Sequence, residues 1–224
     1  MSKFIDSFRH KGLRRKLVQE VREKGITDDS VLEAMEKLPR HYFLDSSFVE
    51  FAYQDKAFPI GSGQTISQPY TVAFQTQLMR VEKGDKILEI GTGSGYQASV
   101  LHLMGAKVFS IERQKELFVK TKAFLENLNY RVKVFFGDGY KGLPAFAPFD
   151  KIIVTCGAPF VPEMLVEQLK PGGIMIIPVG DDVQTMISVE KNMDGSIVQK
   201  EHGAFRFVPM LEKKNDGKNN KLKY

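Results

Sequence analysis

From Val72 onward the chain alternates between short runs that are apolar at almost every position and longer stretches that are apolar on one face. The runs Lys86–Ile90, Lys107–Ile111, Val132–Phe136, Lys151–Thr155 and Ile174–Ile177 have strand length and are rich in β-branched and aromatic residues. Helical spacing fills the gaps over Val72–Arg80, Tyr96–Met104, Gln114–Asn127 and Pro162–Leu169. Such alternation requires a mostly parallel sheet covered on both faces, a doubly wound Rossmann-like α/β fold. After Pro178 two strand-like stretches, Thr185–Glu190 and Phe205–Leu211, follow with no clear helix between them, which predicts an antiparallel pairing near the C-terminus.

The N-terminal third reads differently. Phe4, Phe8, Leu17, Val18 and Val21 recur at roughly helical spacing, and a second helix carries Val31, Leu32, Met35 and Leu38 between a capping Thr27 or Asp28 and Pro39. From Arg40 to Tyr70 periodicity fades, and Pro59, Gly61, Gly63 and Pro69 mark a long loop-like stretch of the kind that often carries function. Three parts are therefore expected: a helical and loop-like segment over 1–71 packed on the main domain, the main domain over 72–211, and a basic tail over 212–224. The tail's Lys/Asn-rich composition predicts disorder and dispensability.

Composition narrows the class. The 224 residues are 42% hydrophobic, suiting one well-buried domain, with no apolar run of signal-peptide or bilayer length. Net charge is +5, but residues 1–24 carry eight Lys/Arg against three acidic residues and 212–224 carry five against two. The body between them is left net negative, which disfavours a nucleic-acid enzyme. Cys156 is the single cysteine, consistent with a reducing cytoplasm. No Cys/His cluster suggests a metal.

Candidate chemistry begins at Glu89-Ile90-Gly91-Thr92-Gly93-Ser94-Gly95, which closes a strand and opens a helix. Missing Cβ atoms let the backbone approach a ligand, and the helix start offers free N–H groups to its anionic part. Glu112 ends the next strand, where a carboxylate can accept hydrogen bonds from both ribose hydroxyls. A nucleoside cofactor follows, but not yet which one. Dinucleotide loops space their glycines G-x-G-x-x-G, whereas Tyr96 occupies that third glycine position here. Gly137-Asp138-Gly139 after the next strand, whose carboxylate could reach an adenine amino group, and Pro171-Gly172-Gly173 resemble landmarks of the S-adenosylmethionine methyltransferases.

More specific is Pro59-Ile60-Gly61-Ser62-Gly63-Gln64-Thr65-Ile66-Ser67-Gln68-Pro69-Tyr70, preceded by Pro39-Arg40-His41-Tyr42-Phe43. With the glycine loop, Ala147-Pro148-Phe149-Asp150 and Arg206-Phe207-Val208-Pro209, it closely resembles the protein-L-isoaspartate O-methyltransferase family from about Leu13 to Leu211. Cys156-Gly157 departs from the alanines usual there, a small change bearing only on pocket shape. The resemblance implies methyl transfer from S-adenosylmethionine to the free carboxylate of isoaspartyl residues in damaged proteins and peptides. The ester then collapses to a succinimide that can reopen to aspartate, a repair.

The resemblance implies Ser67 as catalytic serine and Thr65, Ile66, Ser67, Gln68 and Val208 as the substrate wall. The expected cofactor set is Glu89, Gly91, Thr92, Gly93, Ser94, Gly95, Glu112, Asp138 and Gly139. Ser67 would orient the incoming carboxylate; the competing structural role is capping of the following helix. No base is needed, since a carboxylate with a pKa of roughly 4 is already ionised. His41, a single histidine in a loop, and Cys156 are expected to be structural. A cytoplasmic monomer that binds neither nucleic acid nor membrane is expected. The alternatives are a methyltransferase of the same fold acting on a small molecule or RNA, a nicotinamide-dependent dehydrogenase, and a non-catalytic binding module.

Overall fold

A computed structural model describes residues 4–216 of the chain. Helix α1 (Phe8–Glu23) is capped by Ser7, whose hydroxyl accepts from the His10 N–H. It begins later than the apolar spacing predicts. Phe4 and Phe8 are exposed, and only Leu17, Val18 and Val21 of that stripe are buried, together with the Arg14 stem. Helix α2 (Asp29–Lys37) matches its prediction: Asp28 caps it by accepting from the amides of Ser30 and Val31, and Pro39 follows its end.

The stretch expected to be loop-like contains structure. Two 3-10 turns, Arg40–Phe43 and Ser46–Phe51, lead to a hairpin of β1 (Phe58–Gly61) and β2 (Gln64–Ile66). Ser62 and Gly63 turn it with φ of 51° and 68°, the positive values a tight hairpin needs. Helix α3 (Pro69–Met79) starts three residues before the predicted Val72, with Pro69 in the first turn, where its missing N–H costs nothing.

The main sheet contains β3 (Lys86–Ile90), β4 (Lys107–Glu112), β5 (Lys133–Phe136), β6 (Phe149–Val154), β7 (Leu169–Val179), β8 (Gln184–Lys191) and β9 (Ile197–Phe205). Their order is β5-β4-β3-β6-β7-β8-β9, with the first five parallel and β8 and β9 antiparallel. Helices α4 (Tyr96–Leu103) and α5 (Lys115–Asn127) follow β3 and β4, and the short α6 (Glu163–Glu167) precedes β7. Alternate residues serve the two faces. Ile87, Val108, Ile153 and Ile176 pack with Ala98 and Leu101 of α4, while Leu88, Ile111, Val154 and Ile177 pack with Leu165 of α6.

Two expectations are corrected near the C-terminus. The seventh strand is Ile197–Phe205, not Phe205–Leu211. β9 pairs only with β8 and is exposed along most of its length, so it lacks the apolar alternation that would reveal it. The 205–211 stretch is apolar because it crosses the sheet's end, held where Gly157 N–H donates to Val208 O and Met210 N–H to Gly157 O. The tail's first residues are attached rather than loose: Asn215 bridges Gln114, and its N–H donates to Arg113 O at 2.8 Å. The remainder of the expected disordered tail, 217–224, lies outside the described residues. No helix among the described residues is long and apolar enough to cross a membrane.

Candidate functional site

Strand order reverses between β3 and β6, so the loop after β3 opens into a crevice at the carboxyl ends of the parallel strands. Gly91, Gly93 and Gly95 take φ of 99°, 51° and 83°. At Gly91 a Cβ would lie 2.6 Å from the Thr155 hydroxyl oxygen, so the turn admits only glycine beside β6. Gly95 serves packing instead, since its Cβ would meet Thr121 of α5 at 2.9 Å.

The loop is already closed by its own hydrogen bonds. Gly93 N–H donates to Glu112 Oε2 and Gln114 N–H to Glu112 Oε1, both at 2.8 Å. Burial raises the Glu112 carboxyl above its ordinary range, and those amides oppose the rise. Each carboxylate oxygen has further lone-pair capacity for a hydroxyl. Deeper in, Glu89 is fully buried and accepts from the Ser110 hydroxyl through Oε2, while its Oε1 has no hydrogen-bond partner among the described residues. Burial pushes the Glu89 carboxyl up to about 8, Ser110 opposing and the nearby Glu112 adding to the rise.

These groups wall an open cavity of about 780 Å³, including its mouth. Of the expected cofactor set, Glu89, Gly91, Thr92, Gly93, Ser94, Glu112 and Gly139 line it. Gly95 lies behind them, and Asp138 caps the turn at Gly139–Lys141, its carboxylate accepting from the Tyr140 and Lys213 amides. A Cβ at Gly139 would sit 2.5 Å from Ile90, so that glycine brings the backbone against the strand end. The cavity fits a nucleoside: the Glu112 carboxylate stands where ribose hydroxyls are expected, and Glu89 in the same lining keeps one buried oxygen without a hydrogen-bond partner among the described residues.

Thr65, Ile66, Ser67 and Val208 form the opposite wall. Thr65, Ser67 and Val208 also line an adjoining groove with Gln68, Tyr70 and Phe207, so Ser67 stands where cavity and groove meet. It does not cap α3. The N-cap is Gln68, without a side-chain cap bond, and the Tyr70 amide is taken by Asp55 Oδ1 at 2.8 Å. Among the described residues nothing hydrogen-bonds the Ser67 hydroxyl.

Sequence reasoning missed Thr155, whose hydroxyl lies 2.8 Å from Gly91 O and 3.0 Å from Ile90 O and which lines both spaces. Its place at the end of a parallel strand was the available signal. Cys156 lies in the wall as a neutral thiol, pushed up to about 12 by burial. His41 is remote from both spaces, its Nδ1 2.6 Å from Tyr53 Oη, and burial lowers it to about 4. Asp6, His10 and His41 are close enough to share an ion, but Arg14 engages both Asp6 oxygens at 2.9 Å, and both His41 nitrogens have partners.

A glycine loop at the switch point, a carboxylate at the end of the next strand and an open wall beside them form the nucleoside-binding crevice of a doubly wound α/β enzyme. Residues 12–215 match the protein-L-isoaspartate(D-aspartate) O-methyltransferase (PCMT) family. The chain belongs to that family. It is 61% identical to a protein-L-isoaspartate O-methyltransferase of Christiangramia forsetii, covering 94% of this chain and 99% of that one. A protein of the same name from Cytophaga hutchinsonii is 57% identical over 97% of this chain and 99% of its own. Among solved structures, a protein-L-isoaspartate O-methyltransferase superposes with a TM-score of 0.80 at 32% identity, covering 88% of this chain and 65% of that one. A Plasmodium falciparum structure described as a putative member in complex with S-adenosyl-L-homocysteine gives 0.77 at 26% identity, covering 90% and 99%.

Proposed function

We propose that this chain moves the methyl group of S-adenosylmethionine to the free carboxylate of L-isoaspartyl residues in damaged proteins and peptides, with Ser67 orienting that carboxylate. The observation that carries the assignment is the uncommitted Ser67 hydroxyl at the junction of cavity and groove. When bound, S-adenosylmethionine supplies a methyl group on a positively charged sulfur. Glu112 would hold the ribose, Gly91 to Ser94 and Gly139 the backbone contacts, and Asp138 the adenine edge. Glu89 would face the cationic part.

No proton needs to move. The incoming carboxylate is its own nucleophile: one oxygen forms the bond to the methyl carbon, and the departing sulfur keeps the electron pair. Ser67 donates a hydrogen bond to the carboxylate, with Thr65, Ile66, Gln68 and Val208 walling the peptide. The apolar sides of Ile66 and Val208 exclude water, so alignment and desolvation supply the rate. In the resulting ester the backbone amide nitrogen of the following residue attacks the ester carbonyl, and methoxide leaves and takes the amide proton as methanol. The succinimide forms without further help, after the enzyme's part in repair is complete. The net-negative body disfavours a nucleic-acid substrate, and the single cysteine fits a reducing cytoplasm.

Labelled S-adenosylmethionine offered with paired isoaspartyl and aspartyl peptides tests the assignment. Base-labile label on the isoaspartyl peptide alone is expected; label on RNA or a small molecule instead would replace it.

A further inference from the structure

Ser67 hangs between two buried charges from the irregular 40–57 segment. Arg40 is 0% exposed and makes no ion pair among the described residues, although the Asp55 carboxylate is near enough to favour its charge. Its Nε donates to Ala52 O at 3.1 Å, and its Nη2 donates to Ser67 O at 2.9 Å and Lys56 O at 3.3 Å. Its Cζ lies 4.8 Å from the centroid of Tyr96, the first residue of α4 and part of the cavity wall. One buried cation therefore links the helix behind the glycine loop to the carbonyl of the serine across the cavity. Asp55, only 3% exposed in its side chain, holds the far side. Its Oδ1 accepts the Tyr70 N–H and its Oδ2 the Gln68 side-chain amide, each at 2.8 Å, and Lys24 Nζ joins it at 2.6 Å.

Burying a guanidinium that hydrogen-bonds carbonyls rather than a carboxylate is costly, and its Nη1 has no hydrogen-bond partner among the described residues. An apolar side chain could fill the space with less penalty. What the guanidinium adds is a rigid planar fork that reaches carbonyls of separate segments while stacking on an aromatic face. The carbonyl of Ser67 and the amide of Tyr70 are three residues apart, so the two charges grip the chain on either side of the helix entry.

Building on the Ser67 role proposed above, we infer that Arg40 and Asp55 are positioning residues. Arg40 fixes the Ser67 backbone relative to Tyr96 on the cofactor side. Asp55 fixes the first turn of α3, and together they set where the Ser67 hydroxyl points.

The test uses full-length Arg40→Lys, which keeps charge but lacks the fork, and Asp55→Asn, which keeps shape and one acceptor. Arg40→Lys should lower kcat on isoaspartyl peptide on the order of tenfold to a hundredfold, with KM and cofactor affinity changed little, because displacement of a reacting geometry acts on turnover. In a Ser67→Ala background the same change should cost less than about twofold, since residues acting through one group are not additive. Asp55→Asn should show the same pattern, more weakly. Independently of turnover, amide exchange across residues 64–70 should quicken in Arg40→Lys while that of β3 to β6 stays as in wild type. Equal losses of kcat in both backgrounds, or unchanged exchange over 64–70, would overturn the inference. If Arg40→Lys fails to fold, Asp55→Asn decides on the same measurements. A wild type inactive on isoaspartyl peptide would instead overturn the function assigned above, leaving the exchange measurement to judge the grip.

Discussion

The two walls of the cavity are made in opposite ways. The proposed cofactor wall, Glu89 to Glu112, stands on the central strands of a parallel sheet, where glycines and backbone amides form the surface and Glu112 closes the loop by accepting from the Gly93 and Gln114 amides. The proposed substrate wall, Thr65 to Gln68, runs from the end of a two-stranded hairpin into α3, and its link between the two is held from behind by Arg40 and Asp55. A ligand of constant shape suits a preformed cradle built on neighbouring strands. A peptide of varying sequence suits an open groove with one fixed polar group, and fixing that group without regular structure takes buried charge.

The largest expected effect tests how far the cofactor wall depends on a buried acid. The Glu89 carboxyl sits at about 8 in the folded chain against an ordinary 4.5. The folded state thus binds this proton more tightly than the unfolded one, and the group's contribution to stability, full below about pH 4.5, is lost as pH rises through 8. Wild type should therefore lose stability over that interval relative to Glu89→Gln. By pH 9 the difference should approach about 2–4 kcal/mol in denaturant melts, from the free energy of a shift of this kind. Parallel pH profiles for the two proteins would show that Glu89 is not held protonated by burial.

Next in size is Ser67→Ala, on the other wall. Because Asp55 rather than Ser67 satisfies the start of α3, the melting temperature and cofactor affinity should hold while turnover drops about a hundredfold. A mutant with full turnover and a lowered melting temperature would return Ser67 to a capping role. Glu112→Ala should weaken S-adenosylmethionine binding by roughly 1.5–3 kcal/mol, the scale of hydrogen bonds to a charged group. Calorimetry showing unchanged affinity would remove Glu112 from the cofactor wall.

The same contrast explains what the sequence disclosed. β3, β4 and β6 are buried on both faces and so appear as runs apolar at most positions, and the glycine loop followed by Glu112 points to a nucleoside by its place after β3. The hairpin of β1 and β2 was hidden because Pro59 and Gly61 interrupt a four-residue strand. β9 was hidden because an edge strand held by its ladder needs no apolar side. Ser67 was legible only through resemblance, since nothing local marks a serine whose backbone is fixed by an arginine 27 residues earlier. Thr155 was legible in principle, as a polar residue ending a buried parallel strand.

The smallest effect concerns the tail, where composition misleads most. Its polar residues cannot build a core, yet 213–216 dock through backbone groups, which composition does not report. Lys213 N–H donates to Asp138 Oδ2, and Arg113 Nε donates to Lys213 O at 3.0 Å. Lys115 N–H donates to Asn215 O at 3.0 Å, tying the tail to the residues just past Glu112. The segment thus spans from the Asp138 turn to the β4 end, the two places where the nucleoside's base and sugar are expected. Each bond is partly solvated, so together they should contribute only about 0.5–1 kcal/mol to cofactor binding. Truncation after Asp216 should leave S-adenosylmethionine affinity unchanged, whereas truncation after Glu212 should weaken it about two- to fivefold by that energy, with kcat near wild type. Equal affinity in the two truncations would show that the docked residues merely lie against the cofactor wall, and that this wall is complete within β3, β4 and the turn after β5.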